Sequence, residues 1–111
     1  MRYLLLICDD ETVSSLTPDQ RAEHEEWRRE LTERGIYLRG DRLRPVAEAT
    51  SVRSRGGETL VADGPFAETK ELVGGYVLIE AADLDEAVGV AARHPVARYG
   101  TIEVRPLWEM T

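Results

Sequence analysis

Two runs of this chain are apolar at consecutive positions rather than at alternating ones: residues 3–8 (YLLLIC) and 76–79 (YVLI). Runs this short, ended by acids or turn residues, predict strands over residues 3–8 and 75–81 that need cover on both faces. Between them, Thr17-Pro18-Asp19-Gln20 reads as a helix start. Thr17 caps, Pro18 suits the first helical position and Gln20 completes a capping box. Gly35 supplies the stop. Along this helix His24, Trp27 and Leu31 share one face at spacings of three and four, while Glu25/Arg29 and Glu30/Arg34 pair on the outer surface. The inward stripe is thin and contains an imidazole.

Residues 36–38 begin another extended segment. Residues 51–55 and 58–62 flank Gly56-Gly57, a two-residue hairpin signal. A second helix opens at Asp83, with Glu86 three positions later, and carries Leu84, Ala87, Val88, Ala91 and Ala92 as its apolar stripe until Pro95 ends it. The last strand, 101–106, alternates Ile102 and Val104 with Glu103 and Arg105. The order predicts an α+β, ferredoxin-like split βαβ fold, with two helices on one face of an antiparallel sheet. The other face would be bare although its strands are apolar there too. A homodimer joined through that open sheet face is the simplest cover.

Composition narrows the partners. At 111 residues the chain is expected to be a single domain, 1–111. Its net charge of −7, with 32% charged residues, argues against a nucleic-acid surface. Local arginines (Arg39, Arg42, Arg44, Arg53, Arg55) still allow a small anionic or polar ligand, although a solvated hairpin face accounts for them as well. A single cysteine, Cys8, excludes an internal disulfide and fits a reducing cytoplasm; without an activating partner it reads as a small core residue. No segment has the roughly 20 apolar residues of a membrane span. No nucleotide-binding glycine motif or metal constellation stands out, so no cofactor is expected.

The most distinctive segment is DGPFAETKE, residues 63–71, followed by Gly74-Gly75-Tyr76. It holds Lys70, the one lysine among 14 basic residues. Lysine is a compact titratable charge where arginine is a permanent planar fork. Asp63 is a candidate acid/base or orienting group; the alternative is a turn aspartate binding nearby backbone N–H groups. Lys70, Glu71 and Phe66 are candidate ligand contacts, with Lys70 meeting ligand charge and Glu71 fixing it; an exposed ion-pair cluster is the alternative. Phe66 otherwise anchors the turn. His24 is the possible proton acceptor, set against a core histidine that is simply hydrogen-bonded. His94, beside Pro95, reads as a C-terminal cation or cap. Trp27 and Tyr76 read as packing residues.

From MRYLLLI through DGPFAETKE and GGY to GTIEVRP, the whole chain resembles the YCII-related proteins, specifically their DGPF group. The resemblance implies a branch of the dimeric α/β-barrel proteins, in which two ferredoxin-like sheets pack face to face around pockets. Arg21-Ala22-Glu23-His24 is similar to the Arg-x-x-His segment of shorter members, where the histidine is proposed as part of a catalytic pair with an aspartate. Genes of the DGPF group often lie beside those for extracytoplasmic-function sigma factors. Two functions therefore stand side by side: a cofactor-independent acid-base enzyme using Asp63 with His24 and Lys70, or a non-catalytic partner module tied to sigma-factor regulation.

Overall fold

The computed structural model describes residues 1–10, 17–65 and 71–109. Strands β1 (Arg2–Asp9), β2 (Tyr37–Arg42), β5 (Leu72–Glu80) and β6 (Thr101–Pro106) form one antiparallel sheet in the order β2-β5-β1-β6. The two doubly apolar strands, β1 and β5, are its centre. Helices α1 (Pro18–Glu33) and α2 (Leu84–Ala92) supply the two crossovers. Strands β3 (Thr50–Arg55) and β4 (Glu58–Asp63) form a separate two-stranded ribbon inserted between β2 and β5. This is the ferredoxin-like α+β arrangement that the order of elements predicts.

Local chemistry places the ends of α1 as the sequence suggests. The Gln20 amide donates to Thr17 Oγ1 at 3.2 Å and the Thr17 amide to Gln20 Oε1 at 2.9 Å. Gly35 leaves the helix at φ +73°, the left-handed region that glycine enters without steric cost. The surface pairing differs in partner. Arg28 takes Glu25, and Arg29 bridges Glu26 and Glu33, so the i,i+3 contacts displace the expected Glu25/Arg29 pair; Glu30 does reach Arg34 and also holds Arg93.

The core lies between sheet and helices: Tyr3, Leu5, Val77 and Ile79 from the strands meet Trp27, Leu31, Ala87, Val90 and Ala91 from the helices. The Trp27 indole N–H donates to the Val90 carbonyl at 3.0 Å and pins α1 to α2. On α2 the buried stripe runs Ala87, Val90, Ala91 and on to His94, whereas Leu84 and Val88 remain about half exposed. The sequence stripe was thus rotated toward its flank, because the small alanines, not the larger Leu84 and Val88, permit close contact with the sheet. Strand β2 also runs four residues beyond the predicted 36–38. Its extension, Arg39 to Arg42, is polar because it is a sheet edge with one side on solvent.

The corner at Asp63 and Gly64 closes the base of the ribbon. Gly64 sits at φ +91°, its amide donates to the Ala49 carbonyl at 2.8 Å, and Ser51 Oγ donates to the Gly64 carbonyl at 2.8 Å. Gly64→Ala is expected to destabilise the corner by about 1 kcal/mol through its left-handed backbone, read as a fall in Tm; an unchanged Tm would remove glycine's backbone role there. Among the described residues no helix is long and apolar enough to cross a membrane.

Candidate functional site

A cavity of about 600 Å³ opens where the first turns of α1, the end of β2, the start of β5 and a short 3-10 turn (Pro95–Arg98) meet. Its polar wall includes two histidines. His24, half-buried on the inward stripe of α1, faces His94 with ring centroids 5.2 Å apart and planes nearly perpendicular. Trp27 closes the set, 4.8 Å from His94 and 6.1 Å from His24.

The two imidazoles have different environments. Burial pushes His24 below the ordinary histidine value; Glu25 opposes this and Arg28 reinforces it. The ring is therefore neutral and able to accept a proton near pH 7. His94 is 3% exposed, and burial, helped by His24, pushes it down to about 4. Its Nδ1 accepts the Val96 amide proton at 3.1 Å and caps the 3-10 turn. The sequence reading of His94 as a C-terminal cation or cap is corrected on both counts: it caps the start of the next turn while Arg93 ends α2, and an imidazole without water around it loses the solvation its charge needs.

On the sheet side, Tyr37 and Gly40 face the helices while Asp41 and Tyr76 belong to the opposite face. A Cβ at Gly40 would stand 2.6 Å from Tyr37 Oη and 2.8 Å from the Tyr76 carbonyl oxygen. Gly40 is thus what lets the Tyr37 phenol lie across β2 at the cavity wall. Gly40→Ala is expected to cost about 1–3 kcal/mol by overpacking, seen as a lower urea midpoint; no loss would show that Tyr37 moves aside freely. Tyr76 Oη donates to Asp41 at 2.5 Å, and this bond, followed by burial, raises the phenol above its usual value. Arg42 and Arg44 bring positive charge to the rim, where Arg44 also holds Glu48 at 2.9 Å.

The sequence-derived candidates separate in space. His24 lines the cavity. Asp63 is exposed at the end of β4, paired across the ribbon with Thr50, and lines neither this cavity nor a second one of about 550 Å³. The expected sharing of one pocket by Asp63 and His24 is therefore not found within the chain: the corner that binds Asp63 turns it to solvent on the ribbon. Glu71 lines the second cavity together with Pro65 and Val73. Phe66 and Lys70 lie outside the described residues. The five arginines also divide: Arg42 and Arg44 reach the cavity, Arg39 approaches Asp41 at 3.6 Å on the open face, and Arg53 and Arg55 ride the ribbon. Cys8 is not the core residue expected: it is half-buried on the face away from the helices, where burial, then Glu103, Glu71 and Asp9, push its thiol up.

Sequence reasoning missed His94 and Tyr37 as site residues. For His94 a signal existed: it continues the Ala87, Val90, Ala91 spacing by one more step, onto the buried face.

The model of the YCII-related domain matches residues 1–111. The chain belongs to the YCII-related family. Within reach of this YCII-related chain is an uncharacterized protein of Rhizobium meliloti (strain 1021), 40% identical over 116 residues that cover 96% of this chain and 92% of the relative. Among solved structures it resembles 5-chloro-2-hydroxyhydroquinone dehydrochlorinase (TftG) from Burkholderia phenoliruptrix AC1100, in complex with 2,5-dihydroxybenzoquinone. The TM-score is 0.59 at 16% identity, over 100% of this chain and 96% of the other. That likeness concerns the fold.

Proposed function

We propose that this YCII-related chain binds a small polar molecule in the cavity beside His24 and that His24 serves there as proton acceptor, a chemistry that needs no cofactor. The observation that carries this reading is a neutral, half-buried imidazole on the wall of a 600 Å³ cavity with arginines at its rim. An imidazole kept neutral by burial is free to take a proton from an acidic ligand. The dehydrochlorinase acts on a hydroxylated aromatic ring, and an aromatic substrate with acidic oxygens suits a wall of Tyr37 and Tyr99 around apolar Ile7 and Val77. The test is a thermal-shift panel of phenols, quinones and aromatic acids against wild type, His24→Gln and Asp63→Asn. A compound should raise the Tm of wild type and Asp63→Asn alike and lose at least about tenfold in affinity with His24→Gln. Equal stabilisation of all three proteins would remove His24 from the site.

The regulatory reading, a partner module linked to sigma factors, is favoured by one observation: Gly64, after Asp63, is bonded into a structural corner. It also requires a concave surface without titratable groups, and the cavity carries two histidines.

The homodimer belongs to the same reading. On the face away from the helices, Leu4, Leu6, Cys8, Tyr76 and Leu78 form a half-buried apolar stripe. The strand charges around it are Arg2, Arg39 and Arg105 against Asp41, Glu80 and Glu103, three of each sign and so net zero on a chain of −7. Such a face meets its own copy without like-charge repulsion. The ribbon adds exposed Val52, Leu60 and Val61, and an isolated two-stranded ribbon is marginal in water. Light scattering is expected to give twice 12.5 kDa for wild type and 12.5 kDa for Leu78→Arg. A monomeric wild type at micromolar concentration would contradict the dimer.

A further inference from the structure

We propose that His94 donates its Nε2–H to an acceptor oxygen of the bound molecule, a carbonyl, carboxylate or phenolate, and so fixes that oxygen beside His24. The assignment rests on the cavity's being the binding site, but its own support is separate. Among the described residues His94 is the buried polar one, and its two nitrogens are treated unequally. Nδ1 accepts from the Val96 amide, so the single proton of a neutral imidazole resides on Nε2. That Nε2–H is buried and meets no acceptor among the described residues. Elsewhere in the same core the indole N–H of Trp27 has its partner in the Val90 carbonyl.

An unmet buried donor costs about 1–3 kcal/mol and calls for a reason. Three features give it one. His94 is one of the residues that line the cavity, with its Nε2 covered before a ligand enters. Trp27 and His24 hold it edge to face, and the Val96 bond fixes its rotation, so the donor is set before binding and little ordering remains. Finally, no carboxylate acts on His94, so no resident anion competes for the proton. His24 and His94 then divide the work: one neutral ring accepts a proton and the other donates a hydrogen bond that it does not give up. The ligand is one that bears an acceptor oxygen close to an acidic hydrogen, the pair of groups that such a wall would meet.

The test uses full-length protein and 4-nitrophenol, whose phenolate absorbs at longer wavelength than the phenol. Imidazole ¹⁵N spectra at pH 7 should show His94 as the Nε2–H tautomer, and saturating 4-nitrophenol should shift that nitrogen and its proton. His94→Phe keeps a buried ring but has no donor, and should bind 4-nitrophenol at least about tenfold more weakly. His94→Gln, which regains an N–H, should recover part of the loss. Near-UV circular dichroism establishes that each variant is folded, and the ¹⁵N tautomer of the wild type gives a result even where a variant is not. A Nδ1–H tautomer, or equal binding by wild type and His94→Phe, overturns the donor. Failure of 4-nitrophenol to bind wild type overturns the cavity reading and the donor with it.

Discussion

Trp27→Ala is expected to destabilise the protein by about 3–5 kcal/mol, the range for truncating a buried tryptophan. The indole is 5% exposed, bonds the Val90 carbonyl at 3.0 Å, and stands edge to face with Tyr37 at 6.3 Å as well as with His94. One side chain thus joins α1, α2, β2 and the cavity wall. Removing it deletes contacts on four sides and opens a void that the sheet cannot close, since interiors are packed nearly as tightly as organic crystals. For a domain of this size the Tm should fall by more than about 12 °C. Trp108, the other tryptophan, is 93% exposed, so the fluorescence change on unfolding of the wild type reports Trp27, and the variant is followed by circular dichroism. A loss below about 1 kcal/mol would show that α1 is anchored elsewhere.

The second large effect is set by pH. His94 titrates at about 4 in the folded chain against an ordinary value of 6.5. Above pH 6.5 the ring is neutral in both states and contributes nothing to the slope. Between 6.5 and 4 the unfolded chain binds a proton that the folded chain does not, so stability falls as pH falls. Below 4 both states are protonated and the term is flat. Its full size is about 3 kcal/mol. His24 is lowered by burial as well and adds a slope of the same sign. Urea unfolding across this window should therefore show a shallower loss for His94→Gln than for wild type. Parallel curves would mean that His94 is solvated or charged in the folded chain.

The fold was legible because its signals are local and repeated. Thr17 and Gln20, Asp83 and Glu86, and Gly56-Gly57 each announce a boundary by their own bonding, and residues 3–8 and 76–79 announce central strands by being apolar on both faces. The site was legible in part. His24 could be placed because it shares a helical face with Trp27 and Leu31. Asp63 could not, since a turn residue's direction depends on where the corner docks, and here Gly64 and Ser51 dock it at the ribbon base. His94 was read from its neighbour Pro95 as a helix end, when its distance from Ala91 and Val90 makes it part of the buried stripe. Tyr37 and Gly40 depend on each other across a single strand, with the absent Cβ of one leaving room for the ring of the other. No one-dimensional pattern records that. The polar stretch from Arg39 to Arg42 hid an edge strand for a similar reason: its ladder partner, β5, is distant in sequence.

The DGPF segment and the histidines of the cavity thus lie in different places. Gly64 shapes the ribbon base, while the histidines that share a cavity come from α1 and the turn after α2. That separation explains why a family signature pointed to Asp63 when the imidazoles were elsewhere. It also predicts that the motif's substitutions act on stability first.

The central claim, that the cavity beside His24 and His94 is the binding site, is tested most directly by an amide chemical-shift map on addition of 2,5-dihydroxybenzoquinone, the ligand of the dehydrochlorinase. The largest shifts are expected at His24, Gly40, Val77 and Val96, with the ribbon amides of Thr50 to Asp63 unmoved. Shifts confined to the ribbon, or none at saturating ligand, would contradict it.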